Sequence, residues 1–393
     1  MNIKRAGRNG IRNIIALGLV SLFTDISSEM VFSIMPIFII EELKASRAIL
    51  GLIEGLGESA NYIFRMFSGV LSDTLGRRKP IVLLGYAVSN FTKPLFSIAK
   101  VWSDALMIRL GDRIGKGVRT APRDALISES ISERMMGKGF GIHRTLDQIG
   151  AIAGPALTFT LLPLIGMRGI FWLSFIPGAV ALLILALLVK EKRRSKTHIS
   201  TVSLRRILNA RFIFLLTIIA VFSLGAYNFS FILLKAQDLG VAETFIPIIY
   251  MVINITHTLI GIPSGILSDI IGKERVLMVG YLTFLLTSLL SIIAGGGLIL
   301  SFIIAGIYGI YMGIGQTVQR ALIPSYTTEE YRGTAYGLYY ITVGAAYLAS
   351  NVIFGTLWDM KGAAAAFTYS CVTSITAIAL MGILVMKTLK TYK

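Results

Sequence analysis

The sequence predicts an all-α integral membrane protein of twelve transmembrane helices in two six-helix bundles, on three observations. The composition is 54% hydrophobic and 15% charged, with a mean hydropathy of +0.74, whereas a soluble globular chain carries about a quarter charged residues. The apolar residues come in blocks of about 20, the length that crosses ~30 Å of hydrocarbon at ~1.5 Å per helical residue. Two stretches of the chain also repeat one another at an offset of 196 residues. A formal charge of +17 would point a soluble protein toward nucleic acid. In a membrane protein the same surplus marks the loops that stay on the cytoplasmic side, so the lipid bilayer is the expected partner and nucleic acid is not.

In chain order, apolar blocks set against charged or turn-rich breaks place spans near 12–40, 47–73, 80–99, 102–127, 137–163 and 168–189. Six more follow near 211–236, 244–270, 275–295, 298–325, 333–357 and 362–386. The start has a basic patch before an apolar run, but it lacks a small-residue cleavage site and the run continues to Ile40, so it reads as the first span. Residues 1–189 are expected to form the N-terminal bundle, 190–210 a cytoplasmic linker and 211–393 the C-terminal bundle. Within the linker, SLRRILNARF fits either an amphipathic helix on the anionic inner leaflet or a solvated tether. An even span count puts both termini on one side, whose loops hold 23 basic residues against six opposite. Both termini are therefore predicted to be cytoplasmic, in a multi-pass protein of the cell membrane. The single cysteine, Cys371, excludes an internal disulfide and a paired-cysteine metal site.

The repeat sets GVLSDTLGRRKP at 69–80 against GILSDIIGKERV at 265–276, matching Ser68, Gly69, Leu71, Ser72, Asp73 and Gly76 to Ser264, Gly265, Leu267, Ser268, Asp269 and Gly272. The same offset returns where ALISESISERMMGKGFG at 125–141 meets ALIPSYTTEEYRGTAYG at 321–337. One shift that aligns two separate stretches implies two bundles of one design. Two such bundles can rock about a site between them and expose it to each side in turn. In the loop, Asp73 is placed to accept hydrogen bonds from the first amides of a neighbouring helix, while Arg77, Arg78 and Lys79 anchor the inner face. Gly69 and Gly76 are expected to permit close approach and a tight turn.

This loop resembles the signature G-x-L-a-D-r-x-G-r-k between spans two and three of the major facilitator superfamily, with Thr74 at the first arginine position. RLGDRIGKGVRTAPRDALISES at 109–130 and DISSEM at 25–30 are similar to a widespread group of poorly characterised prokaryotic members. The resemblance covers essentially the whole chain. It implies alternating access driven by an ion or substrate gradient, with a small-molecule substrate, and a gating role for Gly69, Asp73, Gly76, Arg77, Arg78, Asp269 and Gly272.

The spans enclose six acids (Asp25, Glu29, Glu54, Glu58, Asp112, Asp147) and six bases (Arg65, Arg109, Arg113, Lys116, Arg119, Arg144). At about 2.5 to 3.5 kcal/mol each, twelve unpaired charges would cost roughly 30 to 40 kcal/mol, so they must face the interior and one another. At ~100° per residue, Arg109, Asp112, Arg113, Lys116, Arg119 and Arg123 fall within an arc of about 120° on span four. Span two puts Glu54, Glu58, Asn61 and Arg65 on one face, and span one puts Asp25 and Glu29 one turn apart. The family resemblance implies that spans one and four line the transport path. The 196-residue shift takes Asp25 to Val221, Glu29 to Gly225, Glu58 to Asn254, Arg65 to Gly261, Arg113 to Gly309, Lys116 to Met312 and Arg119 to Gly315. A charge set needed only to hold a bundle together would recur in the second half, so the asymmetry favours function.

Two carboxylates a turn apart in a low-dielectric site do not both ionise easily, which makes Asp25 the first candidate for a proton carrier, with Glu29, Glu54 and Glu58 as further candidates. Arg65, Arg109, Asp112, Arg113, Lys116, Arg119, Arg144 and Asp147 are expected to bind an anionic substrate group or to complete the coupling network. Arg113–Arg119 also resembles the family pattern R-x-x-q-G-x-g linked to proton coupling, with Lys116 and Arg119 in place of its glutamine and glycine. Gly150-x-x-x-Gly154-Pro155 resembles the core of the family's antiporter signature, and GxxxG is equally a helix-packing motif. The second half offers uncharged recognition groups: Tyr227, Asn228, Asn254, His257, Tyr308, Tyr311, Gln316, Tyr339 and Tyr340. GDRIGKGV at 111–118 falls one residue short of a phosphate-binding loop and has no Ser or Thr after Lys116. No metalloprotease, paired-cysteine or nucleophile-elbow pattern is present, so no catalytic residue, metal or cofactor is expected. The sequence thus reads as a monomeric, proton-coupled secondary transporter of a small organic solute, with efflux by antiport favoured and uptake or exchange of an organic anion as the alternative.

Overall fold

The computed structural model describes residues 3–131, 135–191, 209–328 and 331–391, with side chains from residue 10 to 386. Among them there is no strand. The helices are α1 (Ile3–Phe32), α2 (Met35–Ile37), α3 (Arg47–Leu75), α4 (Lys79–Thr92), α5 (Trp102–Ser130), α6 (Met136–Leu173), α7 (Phe175–Leu188), α8 (Ala210–Ser223), α9 (Phe229–Asp238), α10 (Ile246–Ile271), α11 (Lys273–Ile293), α12 (Leu298–Leu322), α13 (Arg332–Lys361) and α14 (Ala363–Thr391). Helix α6 is broken at Gly166, where φ is +65°, a conformation that suits a residue without Cβ. Dividing α6 there, joining its second piece to α7, and treating α1 with α2 and α8 with α9 as interrupted spans, gives twelve membrane-crossing segments among the described residues. Eight helical stretches are long and apolar enough to cross a membrane, and one of these, Met136–Leu188, holds two spans. Helices α3 and α5 carry the charges considered below, and α8 and α9 have only 14 and 10 residues.

The chain forms two compact units, one from residues 1–39 and 60–200, the other from 40–59 and 201–393. The expected linker falls largely on 192–208, which lies outside the described residues, as does most of SLRRILNARF. Its far end is Asn209, whose side chain accepts from the Phe212 amide at 2.8 Å and caps α8.

In the first unit α1 packs against α6 and α7, and α4 against α5. An apolar core of Ile14, Leu17, Val20, Val82, Leu126 and Leu185 joins α1, α4, α5 and α7. In the second unit α8 meets α13 and α14, and α11 meets α12, the pairings that the repeat maps onto those of the first. Its centre is aromatic: Phe222 stacks on Tyr281 at 3.7 Å, Tyr227 packs at a tilt on Phe354 at 4.6 Å, and Phe354 meets Phe367 edge to face at 5.1 Å.

Span seven, read from the sequence as continuous over 211–236, is interrupted between α8 and α9. Freed backbone groups in a membrane need internal partners. Here the Leu224, Gly225 and Tyr227 carbonyls accept from Tyr369, Ser370 and Tyr308 at 2.5, 2.7 and 2.8 Å.

Candidate functional site

The first unit gathers its charges into two adjoining centres, the first of them acidic, where α1 crosses α6. A Cβ on Gly150 would lie 2.4 Å from the Leu22 carbonyl oxygen and 3.0 Å from the Asp25 Cβ, and one on Gly154 would lie 2.8 Å from the Glu29 Cβ. Only glycine admits this backbone-to-backbone approach. The Gly150-x-x-x-Gly154 pattern is therefore the surface on which Asp25 and Glu29 rest. Asp147, one turn before Gly150, hydrogen-bonds Asp25 carboxyl to carboxyl. It also accepts from Ser21 at 2.6 Å and from the half-exposed Arg144 at 3.0 Å. Lys116 of α5 is the nearby cation acting on Asp25.

The second centre is cationic and buried, between α1, α4 and α5. Asp112 accepts from Ser89 Oγ at 2.6 Å, and its other oxygen lies 3.8 Å from both the Arg109 and Arg113 guanidinium groups. Those two guanidinium groups also lie over the Phe32 ring, at 4.0 and 4.9 Å, where desolvated cation–π contacts contribute about 2 kcal/mol each. Arg119, 4% exposed, sits 4.5 Å over the Tyr86 ring, and its Nη1 meets no acceptor among the described residues. The basic stripe on span four thus divides: Arg109 and Arg113 share Asp112 and Phe32, Arg119 takes Tyr86, and Arg123 pairs with Asp124 at 2.9 Å.

Lys93 also belongs to this centre and was absent from the sequence-based set of buried charges. It follows the last residue of α4 and is fully buried. Its signal was available, since a lone lysine inside an apolar span is itself a functional candidate.

The face of span two is divided between the two units. Arg65 pairs with Asp124 at 3.7 Å in the first unit. Glu54 is fully buried in the second, where it accepts from Ser230 Oγ at 2.8 Å and Asn228 Nδ2 at 3.3 Å. Glu58 is half-buried in the second unit as well. Most of the second-half recognition candidates are occupied in packing. Tyr227 reaches Ser288 Oγ at 3.2 Å, Tyr339 donates to Gln319 at 2.9 Å, and Tyr340 packs on Tyr339. Asn228 caps α9, while Tyr311 packs on Phe284. Asn254 and His257 are buried and Gln316 is exposed.

In the 69–80 loop, Asp73 accepts from Arg78 Nη2 at 2.9 Å rather than from the amides of a neighbouring helix, because Arg78 precedes α4 and folds back over α3. Arg78 also pairs with Glu129 at 2.9 Å, and its amide donates to Glu191. Gly76 has φ +63° and Gly272 φ +101°, so both loops need their glycine for the turn. A Cβ on Gly69 would meet only Ala121, at 3.5 Å, an ordinary contact and not the close approach expected there. Arg77 and Asp269 are exposed. The repeat replaces Arg78 and Glu129 with Glu274 and Ser325; Glu274 accepts from Tyr326 at 2.8 Å, and Lys273 donates to Ser325 at 3.2 Å.

The family model described as the Major Facilitator Superfamily matches residues 17–233 and again 213–392. The chain belongs to that superfamily. An uncharacterised MFS-type transporter of Methanocaldococcus jannaschii is 36% identical over 363 residues, covering 89% of each chain. Among solved structures, a mutant of the nucleoside transporter NupG aligns with a TM-score of 0.80 at 12% identity, over 95% of this chain and 99% of the other. A POT family transporter in complex with 5-aminolevulinic acid aligns with a TM-score of 0.80 at 13% identity, over 97% of each. This MFS member is therefore a multi-pass membrane protein with the fold of a secondary transporter.

Proposed function

We propose that this MFS protein is a proton-coupled secondary transporter of a small organic solute, working by antiport as a monomer in the cell membrane with both termini cytoplasmic. The observation that carries the reading is the Asp25–Asp147 carboxyl pair at the α1–α6 crossing. Two carboxyl groups in hydrogen-bond contact hold a proton between them, and a pair that releases or regains that proton changes the charge of its site by one unit. Ser21 and Arg144 hold Asp147, leaving Asp25 as the exchanging partner. The glycine pattern on which the pair rests is the one similar to the antiporter signature, and this favours efflux. The positive-inside distribution of lysine and arginine supports the placement of the termini.

A second reading is uptake or exchange of an organic anion. It is favoured by Arg109 and Arg113 standing buried around one carboxylate, Asp112, and by a buried Arg119 with a nitrogen left for an acceptor. Neighbours of the same fold are named for a nucleoside and were solved with 5-aminolevulinic acid, so the fold leaves the solute open.

The test begins with a thermal-shift screen of organic solutes, because a ligand of the folded state raises its apparent stability. A compound that stabilises the protein is then followed in proteoliposomes. Asp25→Asn is expected to keep binding and to lose accumulation driven by a pH gradient. Gradient-driven accumulation at the wild-type rate in that variant contradicts the carrier assignment.

A further inference from the structure

The Lys93 side chain is fully buried, and its hydrogen-bonding partners are all neutral. Its Nζ donates to Ser28 Oγ at 2.8 Å, to Asn90 Oδ1 at 2.9 Å and to the Thr24 carbonyl at 3.5 Å. Three donors meet three acceptors, and Asn90 is held in place by its own bond to the Gly178 carbonyl at 3.2 Å. No carboxylate among the described residues forms an ion pair with it. A buried charge without a counter-charge is an expensive state, and hydrogen bonds to neutral groups offset only part of that cost.

Two of the three acceptors come from α1, and they are the residues that immediately precede Asp25 and Glu29. The ammonium is thus seated on the two turns of α1 that carry the acid pair. The charged groups facing it are Asp25 and Glu29 from α1 and Asp112 and Arg119 from α5. Those facing Asp25 from its other neighbours are Glu29, Asp147 of α6 and Lys116 of α5. Asp112 is the carboxylate that acts most strongly on Lys93, but Arg109 and Arg113 also flank it, so the α1 carboxyls, one residue beyond the Thr24 and Ser28 acceptors, are the further acids that the position of Lys93 serves. The internal repeat provides the control. Thr24, Ser28, Asn90 and Lys93 map to Ala220, Leu224, Leu286 and Leu289, so a bundle of this design forms without the seat or the charge.

We propose that Lys93 is a positioning residue that serves as the counter-charge of the α1 carboxyls. With the acid pair holding its proton, the ammonium rests on Thr24, Ser28 and Asn90. When the proton leaves, the new carboxylate finds a cation already seated on its own helix turns and is held in the membrane interior long enough for the solute step. This deepens the proton-coupled reading and rests on it for its meaning in transport.

A double-mutant cycle on the full-length protein in detergent tests the pairing by folding alone. Thermal unfolding is followed at pH 8 and pH 5 for wild type, Lys93→Met, Asp25→Asn and the double variant, and again with Glu29→Gln in place of Asp25→Asn. Asp112, Asp147, Lys116 and Arg119 are present at every corner, so their contributions cancel. The expected result is that Lys93→Met lowers Tm more at pH 8 than at pH 5. Adding Asp25→Asn or Glu29→Gln should restore at least half of the pH 8 loss, while Lys93→Arg stays near wild type. Additive losses with both acids at both pH values overturn the proposal. Should Lys93→Met fail to fold, recovery of a folded double variant supports the pairing, and failure of both doubles overturns it. Coupling in the cycle alongside normal proton-driven flux in Asp25→Asn would retire the carrier assignment and keep the pairing. An additive cycle alongside lost flux would do the reverse.

Discussion

Asp112 shows at the scale of one residue how the first unit tolerates its charge. A carboxylate 2% exposed is stable there because Ser89 donates to one oxygen and two guanidinium groups flank the other. Removing one member of a buried ionic group leaves the rest uncompensated, which costs about 3 to 5 kcal/mol. Asp112→Asn is therefore expected to lower stability by about that amount in denaturant titrations in detergent, and a loss below ~1 kcal/mol would mean that Arg109 and Arg113 are balanced elsewhere. Helical spacing was sufficient to put Arg109, Asp112 and Arg113 on one face of span four. It could not find Lys93, whose seat is built from a carbonyl and a hydroxyl of α1 and an amide of its own helix, with no acid three or four residues away to mark a pair. It likewise put Glu54 and Arg65 on one face without showing that the two belong to different units.

Among the elements, the α1–α6 crossing carries the most specific demand on sequence. Backbone meets backbone at Gly150 and Gly154, so any side chain there forces the helices apart just where Asp25 and Glu29 sit. Gly150→Val and Gly154→Val are each expected to cost at least about 1 to 3 kcal/mol, read as a fall in Tm, and to impair proton coupling together with stability. Gly69→Ala, facing only Ala121 at 3.5 Å, should change stability by no more than about 0.5 kcal/mol. A reversed order of these effects would mean that the loop motif, not the crossing, sets helix packing. The glycine pattern stood out in the sequence, but the residues it presses against did not, because spacing along α6 says nothing about which turns of α1 lie opposite. The interruption in span seven was hidden for a similar reason. Its carbonyls are satisfied by Tyr308, Tyr369 and Ser370, residues more than eighty positions away whose hydroxyl groups carry no local sign of that task.

For the whole molecule, block length and the 196-residue repeat were enough to reach twelve spans and two bundles of one design, because hydrocarbon thickness constrains helix length directly. What the repeat does not share is the buried charge, and the two units accordingly have different centres: ionic in one, aromatic in the other. The cytoplasmic-loop motif diverges too, since Arg78 with Asp73 and Glu129 in one copy becomes Glu274 with Tyr326 in the other. Asp73 is exposed, while Arg78 and Glu129 keep 15% and 17% of their side chains exposed; pairs that solvent still reaches contribute about 0 to 1 kcal/mol each. Arg78→Gln is therefore expected to leave Tm within a few degrees of wild type while slowing interconversion of inward-open and outward-open states several-fold, as followed by single-molecule distance measurements. An unchanged rate would reduce the motif to a turn and a topology signal. The central claim is that the acid pair of the first unit exchanges a proton as solute crosses. The most direct measurement is the internal pH of dye-loaded proteoliposomes when a stabilising solute is added outside at fixed membrane potential. The account predicts a solute-dependent change in internal pH with wild-type protein, and its absence with Asp25→Asn. Solute entry into wild-type vesicles with no movement of protons would contradict it.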